Sequence, residues 1–293
     1  MKTKEIQQIL LPPPSHMVGD GFRVHNFFPS GYHLAPNRMS PFYLLDYNAK
    51  IEFSPRKDPR GVGVHPHRGF ETVTLVYQGK VAHQDSYGHK GVIGAGDIQW
   101  MTAGAGVLHK EYHEKKFSRQ GGTFQVVQLW VNLPAKDKMS PPGYQSISHD
   151  QIPVYSLPEG QGRIEVIAGE FEGVKGIAHT FTPIEMYNIR LVSGTTLVLS
   201  LPEHYNTGLL VLEGEVCING EQTAETDRFV LFRNKGVEIA LEAREDCLLL
   251  LLSGEPIREP IMAYGPFLMN TKEEIVQAYQ DWSAGKFGYL EEE

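Results

Sequence analysis

The chain has 293 residues and carries 35 acidic against 27 basic side chains, which gives a formal net charge of −8. Its composition, 41% hydrophobic and 21% charged, is typical of a globular protein with a sizeable core. The acidic balance, without a basic stripe, excludes a general nucleic-acid binder. The longest apolar run, at 247–252, is far too short for a membrane-spanning helix.

The cysteines and the N-terminal segment indicate the cellular compartment. Cys217 and Cys247 both stand in apolar, strand-like runs, and we interpret them as buried thiols in a reducing environment. The opening segment, "MKTKEIQQILLPPP", has no long apolar stretch, so no signal peptide is expected. The sequence therefore predicts a cytoplasmic protein without membrane association, and a monomer is the default expectation.

Short runs rich in Val, Ile, Leu, Phe and Tyr alternate along the chain with turn signals from Gly and Pro. Many short strands with frequent turns predict an all-β sandwich or barrel. A β-α-β alternation and a glycine-rich phosphate loop are both missing, which argues against a nucleotide-binding parallel sheet. In chain order, the clearest runs are TVTLVYQG (72–79), FQVVQLWVNL (124–133), TTLVLSL (195–201), GLLVLEGEVCING (208–220), FVLF (229–232) and DCLLLLLSG (246–254).

The stretch GVGVHPHRGFET (61–72) places His65 and His67 two residues apart. Side chains of a strand alternate between its two faces, so these imidazoles share a face and can converge on one point. An H-x-H pair alone is common, and histidines on loops are more often hydrogen-bonding groups than metal ligands. The pair therefore predicts a metal site only if other segments supply further ligands.

A second cluster follows a glycine-rich turn, where His109, Glu111 and His113 are again spaced by two. On a strand, His109 and Glu111 would face the same way and could join His65 and His67. Three imidazoles and one carboxylate suit first-row divalent metals, Fe(II) among them, and the lack of cysteine is unlike a structural zinc site. Four protein ligands also leave positions open for a substrate oxygen or for dioxygen.

Proline, serine and charged residues dominate 136–153, and we expect a linker there. It would separate an N-terminal metal-binding barrel (1–135) from a C-terminal barrel with a final helix (154–293). The segments LVYQGKVAHQD (75–85) and LVLEGEVCING (210–220) resemble each other, which indicates a repeated architecture. Most of the twelve histidines precede position 114, so we expect only the first barrel to have kept a metal site.

The last segment, NTKEEIVQAYQDWSAGKFG (270–288), is the clearest predicted helix. Thr271 and Glu274 have the spacing of a capping box, and Gly285 would end the helix. An apolar face packed against one of the barrels is predicted from the recurrence of Ile275, Val276, Tyr279 and Trp282.

Two long motifs carry a family resemblance: G-x-x-x-H-P-H-R-G-F-E-T at 61–72 and G-D-x-Q-W-M-T-A-G-x-G-x-x-H-x-E at 96–111. They resemble the pirin family of the cupin superfamily, and the likeness extends through QLWVNLP (128–134) and GEPIREPIMAYGPFLMNT (254–271). The resemblance implies an all-β bicupin, with two cupin-type barrels and a metal only in the N-terminal one. The ligands that it implies for one divalent transition metal, normally Fe(II) although other divalent metals are possible, are His65, His67, His109 and Glu111.

Pirin-like proteins are associated with two roles. The first is quercetin 2,3-dioxygenase activity, which implies a metal-dependent enzyme that cleaves a flavonol with dioxygen. In this hypothesis the flavonol 3-hydroxyl binds at an open metal position, and Glu111 accepts its proton as a general base. The alternative is a non-catalytic, iron-dependent redox sensor that binds a regulatory or metabolic partner protein. The ligand set suits both roles, whereas a flavonol-sized apolar pocket would favour the enzyme.

Other residues near the motifs have two interpretations each. Glu71 has the H-x-H-x3-E spacing that many cupins use for a carboxylate ligand; the pirin pattern uses the later glutamate, so we expect Glu71 either to orient a ligand histidine or to fix its strand. His83 and Asp85 could line the cavity, although we favour a hydrogen-bonded pair at the barrel mouth. Arg68 could pair with a carboxylate or meet an anionic substrate, and His113 could be a fifth nearby imidazole.

Overall fold

The structure is a computed structural model that describes residues 2–32 and 34–292. Val-, Ile- and aromatic-rich runs form strands because such side chains pack well on a pleated surface. The strands of the first half are β1 (Ile6–Leu10), β2 (His16–Val18), β3 (Phe22–Phe28), β4 (Phe42–Phe53), β5 (Gly61–His67), β6 (Phe70–Gln78), β7 (Val81–Asp85), β8 (Lys90–Ile93), β9 (Ile98–Thr102), β10 (Val107–His113), β11 (Gly122–Asn132), β12 (Gly143–Ile147) and β13 (Val154–Ser156). Those of the second half are β14 (Gly162–Ala168), β15 (Glu170–Phe171), β16 (Val174–Lys175), β17 (Ile184–Leu191), β18 (Thr196–Ser200), β19 (Asn206–Glu213), β20 (Glu215–Ile218), β21 (Gln222–Glu225), β22 (Phe229–Phe232), β23 (Glu238–Ala243), β24 (Cys247–Gly254), β25 (Met262–Tyr264) and β26 (Phe267–Met269). The α-helices are α1 (Lys115–Gln120) and α2 (Lys272–Ser283), and single 3-10 turns occur at Ala135–Asp137, His149–Gln151 and Pro158–Gly160.

The N-terminal barrel comprises residues 13–37, 42–150 and 257–292. Its larger sheet has the antiparallel order β12-β9-β6-β11-β4-β3-β2, and its smaller sheet has the order β5-β10-β7-β8. The hairpin β25-β26 and helix α2 also belong to this barrel. The predicted metal ligands lie on β5 and β10, which are neighbours in the smaller sheet.

The C-terminal barrel comprises residues 2–12, 38–41 and 151–256. It repeats the same plan, with a seven-stranded sheet (β1-β22-β19-β24-β17-β14-β13) and a four-stranded sheet (β18-β23-β20-β21). Aliphatic side chains such as Leu209, Val230 and Leu249, all fully buried, fill its interior. The predicted all-β fold of two similar barrels with a C-terminal helix is therefore confirmed. In the part of the chain that the structure describes, the clusters of potential metal ligands lie in the N-terminal barrel.

The boundaries of the two barrels differ from the predicted ones. The first residues belong to the C-terminal barrel, because β1 pairs with β22 and sets Leu10 opposite Phe229. The predicted linker contributes β12, which pairs with β9 and buries Ile147. The final helix belongs to the N-terminal barrel, where Asp281 bonds Arg68, 213 residues earlier. Local composition could not reveal pairings between segments so far apart in the chain.

Helix α2 begins where the sequence predicts it. Thr271 Oγ1 accepts a hydrogen bond from the backbone N–H of Glu274 at 3.2 Å, and the Glu274 carboxylate accepts one from the Thr271 N–H at 2.8 Å. Gly285, with φ of +73°, follows the end of the helix. The capping-box prediction is therefore confirmed. Neither of the two α-helices in the described residues is long and apolar enough to cross a bilayer.

The buried face of α2 is only partly the predicted one. Ile275 is buried, but Val276 and Trp282 are 47% and 39% exposed. Ala278 and the charged Asp281 take their place on the buried face. A carboxylate is tolerated there because it is paired with Arg68 at 2.9 Å.

Candidate metal centre

Strand β10 lies between β5 and β7 and carries the centre of the site. His109 is opposite His65 on β5 and opposite Asp85 on β7. Two residues further along, Glu111 is opposite His83 on β7. Because alternate residues of a strand share a face, this register brings side chains from three strands together inside the N-terminal barrel.

Three imidazoles converge at this point. One ring nitrogen from each of His65, His67 and His109 lies within 4.8 Å of the other two. The ring centroids of His65 and His109 are 4.2 Å apart, and those of His67 and His109 are 4.7 Å apart. The sequence spacing predicted that such side chains could meet, and the structure brings these three together.

Backbone carbonyls orient two of the three rings. His65 Nδ1 lies 2.8 Å from Gly63 O, in the irregular stretch where the β5–β10 register shifts. His67 Nδ1 lies 3.2 Å from Pro266 O. A carbonyl can only accept, so each Nδ1 carries the proton and each Nε2 keeps a free lone pair. This is the tautomer that a metal ligand requires.

Burial keeps these imidazoles neutral. Desolvation lowers the pKa of His65 below its ordinary value and holds the pKa of His67 and His109 well below it. Neutral imidazole is the form that binds metal ions. His109 is fully buried, and neither of its ring nitrogens has a hydrogen-bond partner within the described residues. Unpartnered buried nitrogens cost free energy, and a bound metal ion would supply a partner for one of the two.

Glu111 adds a carboxylate beside His109. Its Oε1 accepts a hydrogen bond from Thr74 Oγ1 at 3.2 Å, and its Oε2 accepts one from Gln128 Nε2 at 3.1 Å. Thr74 and Gln128 are register partners on β6 and β11, so the carboxylate is held by the opposite sheet. A Glu111 oxygen also lies within 4.8 Å of donor nitrogens on His109 and His83. Two groups of potential ligands therefore share His109.

His83 differs most from its predicted role. The expected hydrogen bond to Asp85 is not formed, because His83 Nε2 is 3.8 Å from Asp85 Oδ2, which instead pairs with His89 Nδ1 at 2.8 Å. His83 Nδ1 lies 2.9 Å from Gln99 Nε2, and the ring stacks on Tyr144 with centroids 5.2 Å apart. The signal available in the sequence was the strand alternation, which puts position 83 on the inner face of β7.

Glu71 lies on the opposite face of its strand from the site. Thr74 bonds the Glu111 carboxylate and Phe70 contacts the His67 ring, so the even-numbered positions of β6 face the site. The turn at Gly69, with φ of +88°, interrupts the strand, so the alternation of faces counted from His65 and His67 does not continue to Glu71. The Glu71 carboxylate accepts a hydrogen bond from a threonine hydroxyl at 2.7 Å. Of the two roles predicted for Glu71, orientation of a ligand histidine is therefore not the observed one, whereas a strand-fixing role agrees with this bond to the neighbouring strand β9.

Glu71 makes a testable contribution to stability. Burial raises its pKa from 4.5 to about 7. Between these pH values the folded protein holds a proton that the unfolded chain releases. The contribution of protonated Glu71 to the free energy of unfolding is therefore complete below pH 4.5 and is lost as the pH rises through 7. The loss is about 3 kcal/mol, since one pKa unit corresponds to ~1.4 kcal/mol. In Glu71→Gln the amide replaces the protonated carboxyl, so we expect this variant to be more stable than the parent at pH 8 but not at pH 5.

Denaturant unfolding of the metal-free proteins at the two pH values measures this difference. The parent and the variant share the same histidines, so their difference isolates position 71. Glu221→Gln, a change of the same type at an exposed position, is the matched control and should leave the pH dependence unchanged. A stability difference between the parent and Glu71→Gln that is equal at both pH values would contradict the assignment.

Two further residues lie outside the donor groups. His113 packs in an aromatic cluster, with its ring 4.5 Å from that of Phe124, and its Nε2 lies 2.8 Å from Gly21 O. It is therefore a core residue and not a fifth imidazole beside the other ligands. Arg68 pairs with Asp281 at 2.9 Å, so the first of its two predicted roles is the observed one.

An aromatic wall lies beside His67. The ring centroids of Phe70 and Trp130 are 5.0 and 5.3 Å from that of His67. Phe70 and Trp130 stack at 4.1 Å, and Tyr43 continues the stack at 6.2 Å from Trp130. Phe70 is buried, whereas Trp130 and Tyr43 are partly exposed. The wall therefore extends from the imidazoles to partly exposed aromatic side chains.

The donor set fits a divalent transition metal. Neutral imidazoles together with one carboxylate are ligands that first-row transition metals accept. The two unpartnered nitrogens of His109 are the specific observation that supports such a group. The residues that could hold it are His65, His67 and His109 in one group of donors, and His83, His109 and Glu111 in the other.

Two barrels of one strand plan, with imidazoles and a carboxylate gathered inside the first, define a two-domain cupin. The chain belongs to the pirin family: the Pirin family model matches residues 21–131, and the model of the Pirin C-terminal cupin domain matches residues 186–288.

Individual relatives resemble the chain over most of its length. A Pseudomonas aeruginosa protein described as a "putative quercetin 2,3-dioxygenase" is 47% identical over 272 residues, which are 93% of this chain and 94% of the relative. A pirin-like protein of Solanum lycopersicum is 41% identical over 86% of this chain and 83% of its own. The crystal structure of a quercetin 2,3-dioxygenase from Acinetobacter baumannii has a TM-score of 0.93 at 47% identity and covers 99% of this chain and 100% of that one.

Proposed function

We propose that this protein is a metal-dependent dioxygenase that cleaves flavonols such as quercetin with dioxygen, and that the metal is Fe(II). The observation that carries the proposal is the convergence of buried, neutral imidazoles beside a carboxylate and an aromatic wall. The names of the similar proteins from Pseudomonas and Acinetobacter support the substrate class. The proposed ligands are His65, His67, His109 and Glu111.

The metal, when bound, would supply the Lewis acidity and the redox chemistry that activation of dioxygen requires. The protein contributes position and proton transfer. His65 and His67 are fixed by backbone carbonyls, so their lone pairs are already directed before the metal binds. The Glu111 carboxylate, with one donor on each oxygen, keeps lone pairs free to accept the proton of the flavonol 3-hydroxyl as a general base.

The aromatic wall supports a flat aromatic substrate. A flavonol in aromatic contact with the partly exposed edge of this wall would have its inner ring toward His67 and its outer ring toward the surface. An aromatic contact of this kind is worth about 0.5–1.5 kcal/mol beyond the area that it buries. Contact with the wall would bring the hydroxyl oxygen repeatedly to the same place, and such orientation is one way in which a protein accelerates a reaction.

The test is turnover of quercetin by metal-loaded protein. We expect loss of flavonol absorbance together with oxygen uptake after loading with Fe(II), and no loss of absorbance without oxygen. Manganese, cobalt, nickel and copper are loaded in parallel, so that the metal preference is measured in the same assay. If none of these metals supports turnover while the protein still binds Fe(II), the dioxygenase proposal is wrong, and the iron-dependent redox sensor becomes the better account.

A further inference from the structure

We propose that His83 is a further ligand of the metal in the N-terminal barrel, so that the cavity offers five donors instead of four. The inference rests on the proposed function, because it concerns the same site. Its basis is position: a ring nitrogen of His83 lies within 4.8 Å of donor atoms on His109 and Glu111. No part of the predicted ligand pattern includes this residue.

The environment of His83 leaves one nitrogen free. The side chain is 0% exposed, and its Nε2 has no hydrogen-bond partner within the described residues. Asp85 does not serve as that partner, because its Oδ2 is 3.8 Å away and already pairs with His89. The other Asp85 oxygen accepts from the backbone N–H groups of Tyr87 and His89. A buried nitrogen without a partner is costly, and a metal ion beside His109 would remove that cost.

The surroundings also hold the ring in place for coordination. Tyr144 stacks on one face of the His83 ring, with an interplanar angle of 18°. The Gln99 amide meets Nδ1 at 2.9 Å. A half-turn of that amide exchanges its N and O ends, which are nearly equal in size, and the carbonyl oxygen then accepts from Nδ1–H. Nε2 is then left with a lone pair, in the same tautomer that Gly63 and Pro266 fix in the other ligands.

Geometry explains why a four-ligand set is incomplete on this side. His65, His67 and His109 form one group of mutually close donors, and His83, His109 and Glu111 form a second. A metal bound only by His65, His67, His109 and Glu111 would leave His83 Nε2 buried and unpartnered. A metal that draws donors from both groups satisfies His109, His83 and the carboxylate together.

The experiment measures the affinity and the visible spectrum of the Co(II)-loaded protein. In His83→Met, which nearly preserves the side-chain volume, we expect the affinity to fall about tenfold or more and the cobalt bands to shift as one nitrogen is lost. Gln99→Met removes the group that orients the ring and should produce a smaller loss. His204→Ala is the control, because His204 is a histidine of the C-terminal barrel with a 55% exposed side chain. Thermal unfolding verifies that each variant is folded, and His83→Gln replaces His83→Met if the latter is not.

The outcomes separate this inference from the proposed function. Suppose that cobalt binding depends on His109, but a folded His83 variant keeps the parent's affinity and spectrum. This result would overturn the inference about His83 and leave the proposed function intact. Failure of the parent to bind cobalt, or binding that does not depend on His109, would overturn the inference and the proposed metal site together. Reduced affinity with a shifted spectrum in the His83 variant, and neither change in His204→Ala, supports the assignment.

Discussion

His109→Ala is expected to remove the metal from the protein. His109 is fully buried and belongs to both donor groups, so its loss removes a donor from each group. Loss of a residue that merely supports a ligand costs 10–100-fold in metal affinity, so loss of this ligand should cost about a hundredfold or more. Elemental analysis of the purified variant should then show less than about a tenth of the metal bound by the parent, and flavonol turnover should fall in proportion.

The controls for this experiment are two further histidine variants. His65→Ala removes a ligand from the neighbouring strand and should lower the metal content in the same way, because the proposal requires the two strands to meet at one ion. His204→Ala changes a histidine in the C-terminal barrel whose side chain is 55% exposed, and it should retain the parent's metal content. Full metal content in His109→Ala would show that the metal, if any, binds elsewhere.

Glu111→Gln is expected to lower both metal affinity and turnover. Glutamine has nearly the same shape and size as glutamate and can still form hydrogen bonds, but it lacks the negative charge that binds the cation. It also loses the basicity that the proposed proton transfer needs, and removal of a general base typically costs 10²–10⁴-fold in rate. We therefore expect turnover per bound metal to fall about a hundredfold or more. The measurement is the turnover rate divided by metal content at saturating quercetin.

Glu71→Gln is the matched control, because it makes the same chemical change on the face of β6 that is turned away from the site. It should leave metal content and turnover near those of the parent and alter only the pH dependence of stability. The reverse result, in which Glu71→Gln loses metal and Glu111→Gln keeps it, would show that the H-x-H-x3-E spacing and not the later strand supplies the carboxylate. Loss of metal in both variants would point to unfolding, which circular dichroism would detect.

The boundaries of the barrels bear on any truncation experiment. A shortened chain that ends at residue 135 would lack α2 and the Pro266 carbonyl that orients His67. It would also lack Asp281, the partner of Arg68. A shortened chain that keeps the whole candidate site must therefore include both the segment 65–111 and the C-terminal segment 257–292.

The sequence by itself determined what depends on local periodicity. Alternation along a strand put His65 with His67, and His109 with Glu111, on common faces. The capping pair of Thr271 and Glu274 marked the start of the last helix, because both interactions lie within one turn. The two long motifs indicated the pirin family from the sequence alone, because each lies in one continuous stretch of the chain.

Only the tertiary structure decided what depends on contacts between distant segments. A single turn at Gly69 reversed the face that Glu71 presents, and strand spacing cannot show such a reversal. The register of β7 against β10 set His83 opposite Glu111, and no local pattern encodes register between strands that are 28 residues apart at this pair. Helix α2 is held in the N-terminal barrel by an apolar cluster around Ile275 and Ala278 and by an ion pair across 213 residues, and no local pattern encodes contacts between segments so far apart in the chain.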